Sequence, residues 1–442
     1  MGGLVINEKD QKLSKVGIDI VKGLSKKLAT LKILDILNFS RPARLTSPLS
    51  VHQCCGNEWV RTDLLEKAYQ IKDDPIERMK YLFAFAVSGI HQGPLKCRSR
   101  APFNPILGET YQAVNEKDGS KLYLEQTEHH PPTFNFAVYG PNNHFMLHGF
   151  GTIDAHLYSI NMIKGERIGK NLLKFDDGSL FTFTTFKTRI NGIIMGERVY
   201  NYYGDLIIKD YKNKVECIMT LNDEIQEGML SKLWYGKTNP HYDESIATIR
   251  QVNPKTKEKE VKAKGYASWL GQVIFDNKTY WSIFDPEQTW TQNGIDYILP
   301  SDSTKREDLI ALIKGDLDES QTHKEKLEQI QRDDLKLREN YAKNNCKYNT
   351  FRKYKTTLKY NINPFFKDKN LNDITCADIQ EFYYFCKGRN LPPKVLKNTL
   401  ALLNQMIKYF QNLGIIDRTC NFQVRRLSNK TNFTVDRIIF EV

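Results

Sequence analysis

The chain of 442 residues has no apolar run long enough to cross a bilayer. Its best candidate, Tyr81 to Ile90, falls well short of the roughly 20 residues that a spanning helix needs. There is no C-x-x-C pair. The eight cysteines, Cys54, Cys55, Cys97, Cys217, Cys346, Cys376, Cys386 and Cys420, are scattered, which argues against a zinc site. The opening Met-Gly-Gly-Leu-Val-Ile-Asn-Glu lacks the charged-then-apolar pattern of a signal peptide, and Ile6 stands where a myristoylated chain prefers Ser or Thr. Reduced thiols in the cytosol and a merely peripheral contact with membranes are therefore expected. No G-x-S-x-G, G-x-x-x-x-G-K-[ST] or H-E-x-x-H pattern occurs, and no carboxylate or cysteine constellation takes its place. The expectation is a protein that is not an enzyme and that needs no cofactor or metal. His144, His148 and His156 fall at spacings of four and eight, but the alternation around them reads as a strand.

Positive charge is plentiful and unevenly spread. From Tyr341 to Val442 there are 18 lysines and arginines against 7 acids, a net of +11. Residues 1–340 hold 46 against 45, a net of +1. This contrast places a boundary near residue 340 and gives the two parts different work.

Periodicity divides the rest. Leu13, Val16, Ile20, Leu24, Leu28 and Leu31 recur at helical spacing, opposite Lys15, Lys22, Lys26 and Lys27. Such a helix lies on a membrane, caps a cavity or simply packs on the core. A second helical stretch runs from about Leu64 to Ser88. Asp73-Asp74-Pro75 opens its later half, and Met79, Leu82, Phe83, Ala86 and Val87 form a stripe read as core. From Lys121 to Phe284 the period becomes two. Candidate strands are Lys121–Glu125, Phe134–Tyr139, Phe145–Phe150, Leu180–Phe186, Tyr202–Lys209, Val215–Leu221, Ala247–Val252, Val261–Tyr266 and Thr279–Phe284, with polar turns between them. So many strands joined by short turns imply a large antiparallel sheet that curls toward closure and can enclose an apolar ligand. A charged helix follows from Lys305 to Asn340, with Leu309, Leu312, Ile313, Leu327 and Ile330 as its apolar positions. In the tail, Thr375-Cys376-Ala377-Asp378 resembles a capping box. After Pro392-Pro393, the residues Val395, Leu396, Leu400, Leu403, Met406, Ile407 and Phe410 keep helical spacing up to Gly414.

One segment invites chemistry: Glu125-Gln126-Thr127-Glu128-His129-His130-Pro131-Pro132. Adjacent histidines on a regular strand face opposite sides, and two prolines are expected to end the ladder. The strand should break here and let both imidazoles converge at a sheet rim, where they can donate to a phosphate. Taken alone, the pair reads equally as two polar loop residues. Lys324, Glu328 and Arg332 lie at i, i+4 and i+8, on one helical face. Their plain reading is a solvated row of ion pairs.

The eight residues resemble the oxysterol-binding-protein-related family's Glu-Gln-Val-Ser-His-His-Pro-Pro fingerprint, with Thr127 and Glu128 departing in the middle. Pro102-Phe103-Asn104-Pro105-Ile106-Leu107-Gly108-Glu109-Thr110-Tyr111 resembles a second family stretch. So do Asp74-Pro75-Ile76-Glu77-Arg78-Met79 and Phe85-Ala86-Val87-Ser88-Gly89. Lys324 to Arg332 is similar to the family's Glu-Lys-x-x-Leu-Glu-x-x-Gln-Arg helix. The resemblance implies a mainly β protein, a near-complete antiparallel β-barrel with an N-terminal lid helix and flanking helices, followed here by a small all-α domain. It implies three parts: a lid over 1–40, a lipid-binding barrel over 41–340 and a basic helical tail over 341–442. It implies carriage of a sterol or glycerophospholipid between membranes, in exchange for phosphatidylinositol 4-phosphate, by a cytosolic protein that touches membranes peripherally. A monomer is expected. By match, His129 and His130 contact the lipid phosphate, Asn104 the head group, and Lys324 and Arg332 the phosphate from the helix, with Glu328 orienting that basic pair. Where the family usually has Lys before Pro-Phe-Asn-Pro this chain has Ala101; Arg98 and Arg100 are near enough to substitute.

The tail departs from the family. Tyr354-Lys355-Thr356-Thr357-Leu358-Lys359-Tyr360, Leu371-Asn372-Asp373-Ile374-Thr375 and Gly414-Ile415-Ile416-Asp417 resemble the helical core-binding domain at the front of tyrosine recombinases. The alternative partner that this implies is DNA, met through phosphates. An acidic membrane surface would suit the same charge.

Overall fold

The computed structural model describes residues 3–6, 42–98, 100–129, 131–159, 161–193, 197–221, 243–253, 256, 258–345, 348–366, 369, 374–389 and 391–412. The chain forms two compact units, residues 1–331 and 332–442. The amphipathic stretch from Leu13 to Leu31, and with it nearly all of the expected lid, lies outside the described residues.

The first unit contains, among the described residues, eighteen strands. They are β1 (Leu4–Ile6), β2 (Thr46–Ser50), β3 (Ala101–Phe103), β4 (Thr110–Asn115), β5 (Lys121–His129), β6 (Pro132–Tyr139), β7 (Phe145–Ser159), β8 (Met162–Ile168) and β9 (Asn171–Phe175), then β10 (Leu180–Phe183), β11 (Lys187–Asn191), β12 (Arg198–Asp210), β13 (Val215–Leu221), β14 (Glu244–Val252), β15 (Lys259–Ser268), β16 (Gln272–Phe275), β17 (Lys278–Ser282) and β18 (Trp290–Thr291). Sixteen of them form one antiparallel sheet in the order β17-β16-β15-β14-β13-β12-β10-β9-β7-β6-β5-β4-β18. β1 and β11 join on β12, and β8 bridges β11 and β7. Only β2 and β3 stand apart, as a parallel pair. The curled, near-complete barrel agrees with the expected architecture.

Alternation builds the interior. Along β5, Leu122, Leu124 and Gln126 are buried while Lys121, Tyr123 and Glu125 are exposed. Along β13, Val215, Cys217, Met219 and Leu221 turn inward. The aromatic residues Phe134, Phe175, Phe181, Phe275, Trp269 and Trp281 are almost fully enclosed. The expected strands are present, several of them longer. β8, β9, β11 and β16, like the short β1 to β4 and β18, are not among the strands read from the sequence.

Four helices precede or interrupt the early strands: α1 (Val51–Gly56), α2 (Thr62–Gln70), α3 (Pro75–Ser88) and α4 (Gln92–Cys97). The helical stretch expected from Leu64 to Ser88 is two helices, the later one opening at Asp74-Pro75 as its sequence implies. Asp74 caps the second one, accepting from the Ile76 and Glu77 amides, and Pro75 occupies its first position. Met79, Leu82, Phe83 and Val87 of α3 are core, as their spacing implies, whereas Ala86 is half-buried and faces a hollow. Arg78 reaches from α3 to Ser179 and Asp177 at 3.0 Å each, with its guanidinium 4.3 Å from the Phe175 ring centre. Glu77 receives Lys278, Tyr280 and Lys80. The charged letters of Asp74-Pro75-Ile76-Glu77-Arg78 thus clamp helix to barrel.

The expected helix from Lys305 to Asn340 is also two: α5 (Glu307–Ile313) and α6 (Leu317–Asn345). Gly315, at φ +86°, ends α5 in a left-handed turn. Its amide reaches the Leu312 carbonyl and the Asp316 amide reaches Ala311. Asp316 then caps α6 through the Glu319 amide. Leu309 and Leu312 are buried, but Ile313 and Ile330 are exposed.

Cys54 on α1 and Cys97 on α4 face each other, with Cα atoms 7.0 Å apart. Cys55, Cys217 and Cys386 are free.

The second unit takes in the end of α6 and then α7 (Tyr348–Thr357), a π-turn over Leu358–Ile362, α8 (Asn363–Phe366), α9 (Cys376–Gly388) and α10 (Pro393–Asn412). The capping box before α9 is present, with Thr375 and Asp378 bonding reciprocally. Ile362, Phe382, Cys386, Leu400, Leu403 and Ile407 form a core of their own. Val395, expected on the buried face of α10, is exposed.

Candidate functional site

β5 and β6 form a hairpin closed by the pair His129↔Pro132. The ladder therefore does not break at the prolines. Pro132 begins a strand, where its missing N–H is tolerated. A register shift between Gln126 and Glu128 leaves Thr127 as a bulge. The extra residue reverses the alternation, so Gln126 points inward, Glu128 is exposed and His129 is half-buried. His130 lies outside the described residues.

Beneath this hairpin is a buried polar network. Gln126 donates to the Glu128 carbonyl at 2.7 Å, which fixes its amide and turns Oε1 toward His52 Nε2 at 3.2 Å. His52, on α1, is wholly buried, so Nε2 carries the proton and Nδ1 is bare. Nδ1 lies 3.9 Å from Glu109 Oε1, a contact with a neutral imidazole rather than an ion pair. Burial drives His52 down to about 4, and Arg306 pushes the same way. Glu109 is pushed up to about 7 by burial, against the pull of Arg306. Its Oε2 accepts from the Ile106 amide at 3.0 Å and from Arg306 Nη1 at 2.7 Å. The same Nη1 donates to the Asn104 carbonyl at 2.8 Å, and Arg306 holds Asp308 through Nε and Nη2. Ser320 of α6 donates to the Asp308 carbonyl at 2.8 Å.

Arg306 thus ties together three stretches: the one holding Asn104 and Glu109, the hairpin that ends in His129, and the start of α6, one turn before Lys324. Asn104 itself is exposed. Lys324 is buried and paired with Glu328, as the i, i+4 spacing implies. Arg332 is exposed and is the first residue of the second unit. His52 and Arg306 were not among the expected site residues. Glu109 and Gln126 lay inside the quoted motifs, but with no role given to them. Buried polar letters inside a specific motif are the signal that identifies them.

Ala101 lies half-buried in β3, paired with Thr46. Arg98, three residues before it, is exposed and holds φ +54°, which is rare for a side chain of its size. Among the described residues no group of His, Cys, Asp and Glu is arranged to hold a metal ion. His144 instead contacts Glu66 at 2.9 Å. No helix among the described residues is long and apolar enough to cross a membrane.

Inside the barrel, between α3, β8, β9 and β12, lies a small hollow of about 90 Å³ that is open on one side. Phe85, Ile90, Leu147, Phe183, Phe186 and Leu206 give it apolar walls.

Comparison with known proteins agrees with this architecture. Among solved structures, the yeast Osh3 ORD in complex with PI(4)P superposes with a TM-score of 0.58 at 21% identity, covering 72% of this chain and 84% of that one. The Osh1 ORD domain in complex with cholesterol gives 0.56 at 20%, covering 70% and 78%. Oxysterol-binding protein 9 of Dictyostelium discoideum is 31% identical over 284 residues, 60% of this chain and 63% of its own length. Human oxysterol-binding protein-related protein 3 is 27% identical over 335 residues, 72% of this chain but 36% of its own length. The chain thus spans less than two thirds of these curated relatives. The match to the family described as Oxysterol-binding protein covers residues 30–372. It runs past residue 340 and takes in Tyr354 to Tyr360, so the likeness of that stretch to a recombinase domain finds no support. A match over most of its length shows that the chain belongs to the oxysterol-binding protein family.

Proposed function

We propose that this protein is a lipid carrier, not a catalyst: it withdraws a sterol or glycerophospholipid from one membrane, holds it in the barrel and releases it at another. The observation that carries the reading is the buried network around Arg306, which ties the three motif segments to one wall beneath the His129 hairpin. Such a wall suits a phosphate, because a rigid support holds donors in place without reorganisation when the ligand arrives. Phosphatidylinositol 4-phosphate is the proposed exchange partner. His129 and His130 would donate to its phosphate, Asn104 would meet the head group, and Lys324 and Arg332 would face it from the helix with Glu328 orienting them. Arg98 would supply the cation that Ala101 lacks. The domain division at residue 340, a cytosolic location and peripheral, monomeric action on membranes belong to the same reading.

The test is transfer between liposomes by the full chain. Wild type should move a fluorescent sterol or phospholipid in one direction and phosphatidylinositol 4-phosphate in the other. The double variant His129→Ala, His130→Ala should lose at least about tenfold of the phosphoinositide transfer, about 1.4 kcal/mol of binding, and keep its melting temperature. Unchanged phosphoinositide transfer in that variant would refute the head-group assignment.

A further inference from the structure

A second hollow, of about 240 Å³, lies where the barrel stays unclosed. β17 and β18 are the two edges of the large sheet, and residues 283–289 cross between them. The hollow sits between that crossing, the end of α3 and α4. No residue lines both it and the hollow inside the barrel. Its volume is below the roughly 300 Å³ at which drug-sized sites begin, and corresponds to about eight waters at ~30 Å³ each. It suits a polar molecule of about ten non-hydrogen atoms, not a lipid.

Two side chains in it are nine-tenths buried and unpartnered. His91 is 7% and Gln92 8% exposed, and neither His91 Nδ1 nor Gln92 Oε1 meets a hydrogen-bond partner among the described residues. Buried polar atoms left unmade are costly, and a native fold keeps them where something else completes them. Burial holds His91 down to about 4, with Arg61 pushing the same way, so the ring is neutral at pH 7. With its proton on Nε2, Nδ1 accepts, as Gln92 Oε1 does. The cations of the hollow differ. Arg61 is engaged: Nε and Nη2 donate to Asp63, and Nη1 lies 3.6 Å from Asp285. Lys96 donates to Asn57 Oδ1 at 2.8 Å, but no carboxylate among the described residues comes within ion-pair distance of its ammonium. Burial holds it below the usual lysine value, while the charge of Glu287, at the exposed rim, pulls the other way. Trp281, Ile283 and Leu95 add an apolar wall.

We infer that this hollow binds a free α-amino acid with an apolar side chain. The inference is independent of the carrier reading. An ammonium group carries three donors, and Gln92 Oε1, His91 Nδ1 and the Glu287 carboxylate are three acceptors for them. The ligand's own carboxylate gives Lys96 the acidic partner it lacks. Its side chain lies against Trp281 and Ile283. A zwitterion answers both signs of charge in the lining. A phosphate would face Asp285 and Glu287, and an amine without a carboxylate would face Lys96 and Arg61.

The experiment is isothermal titration of the full chain with L-leucine, glycine, N-acetyl-leucine, leucinamide, myo-inositol and inorganic phosphate. Leucine should bind saturably with a Kd of about 1 mM or tighter. Glycine, N-acetyl-leucine and leucinamide lack the side chain, the ammonium and the carboxylate in turn, and each should bind at least about tenfold more weakly. Gln92→Leu should weaken leucine by about tenfold. Lys96→Met should erase the preference for leucine over leucinamide. Glu287→Gln, at an exposed position, should weaken leucine by at least about threefold; it keeps the test alive should either buried variant fail to fold. No saturable binding of leucine up to about 10 mM would overturn the inference. So would equal binding of leucine and N-acetyl-leucine or glycine, or a preference for inositol or phosphate. Leucine binding that Gln92→Leu and Glu287→Gln both leave unchanged would place the ligand elsewhere and overturn it as well.

Discussion

His52 sits beneath Gln126 with no exposed surface, and protonating it would set a second positive charge beside Arg306. An ordinary imidazole takes its proton near 6.5, whereas His52 resists until about 4. Over that window the unfolded chain binds a proton that the folded chain refuses. Stability from the neutral ring is therefore complete above pH 6.5 and is lost as the pH falls toward 4, by an amount on the order of 3 kcal/mol. Glu109 runs the other way: its folded value is raised from 4.5 to about 7, so stability present below 4.5 is lost as the pH rises through 7. His52→Gln keeps a donor for Gln126 and cannot charge. Its melting temperature should fall less than that of wild type between pH 7 and pH 4.5, while Glu109 behaves alike in both. Equal falls would mean that His52 is not the group being titrated.

Gly89, which ends α3, shows how closely the elements approach. A Cβ there would lie 2.2 Å from the Glu58 carbonyl oxygen and 2.8 Å from that of Asn57. Both obstacles are backbone, so no side chain can swing aside. Gly89→Ala should cost about 1–3 kcal/mol, read as a lower denaturant midpoint at unchanged slope. This scale also shows what a sequence conceals. The period-two pattern gives β5, β6 and β13 plainly, because one face of each is apolar. It cannot give the Thr127 bulge, which depends on the partner strand and decides where His129 points. It marks Asp74-Pro75 as a helix start, but reads α5 and α6 as one helix, although Gly315 is the residue a left-handed stop requires. The motif spacing selects His129, Asn104 and Lys324, yet Arg306 and His52 lie far from any motif and join it only through the fold.

Charge is unevenly divided along the whole chain. Each compact unit has a core of its own, so calorimetry of the full chain should resolve two transitions rather than one. The net +11 of residues 341–442 stands against +1 in the rest of the chain, and Arg352, Lys353, Lys355 and Lys359 are all exposed on α7 and the π-turn after it. A carrier must find a membrane before it can extract a lipid, and anionic leaflets attract basic segments by about 1 kcal/mol per cation near the surface. Replacing these four residues with glutamine should reduce binding of the full chain to vesicles rich in phosphatidylserine by at least about tenfold at low salt. The difference should shrink as ionic strength rises and the Debye length falls to about 8 Å. The fold of the barrel should be untouched. If vesicle binding does not change while a DNA duplex is retarded by the wild-type chain and not by the variant, the tail's charge serves nucleic acid instead. The membrane reading would then fall without disturbing the lipid site.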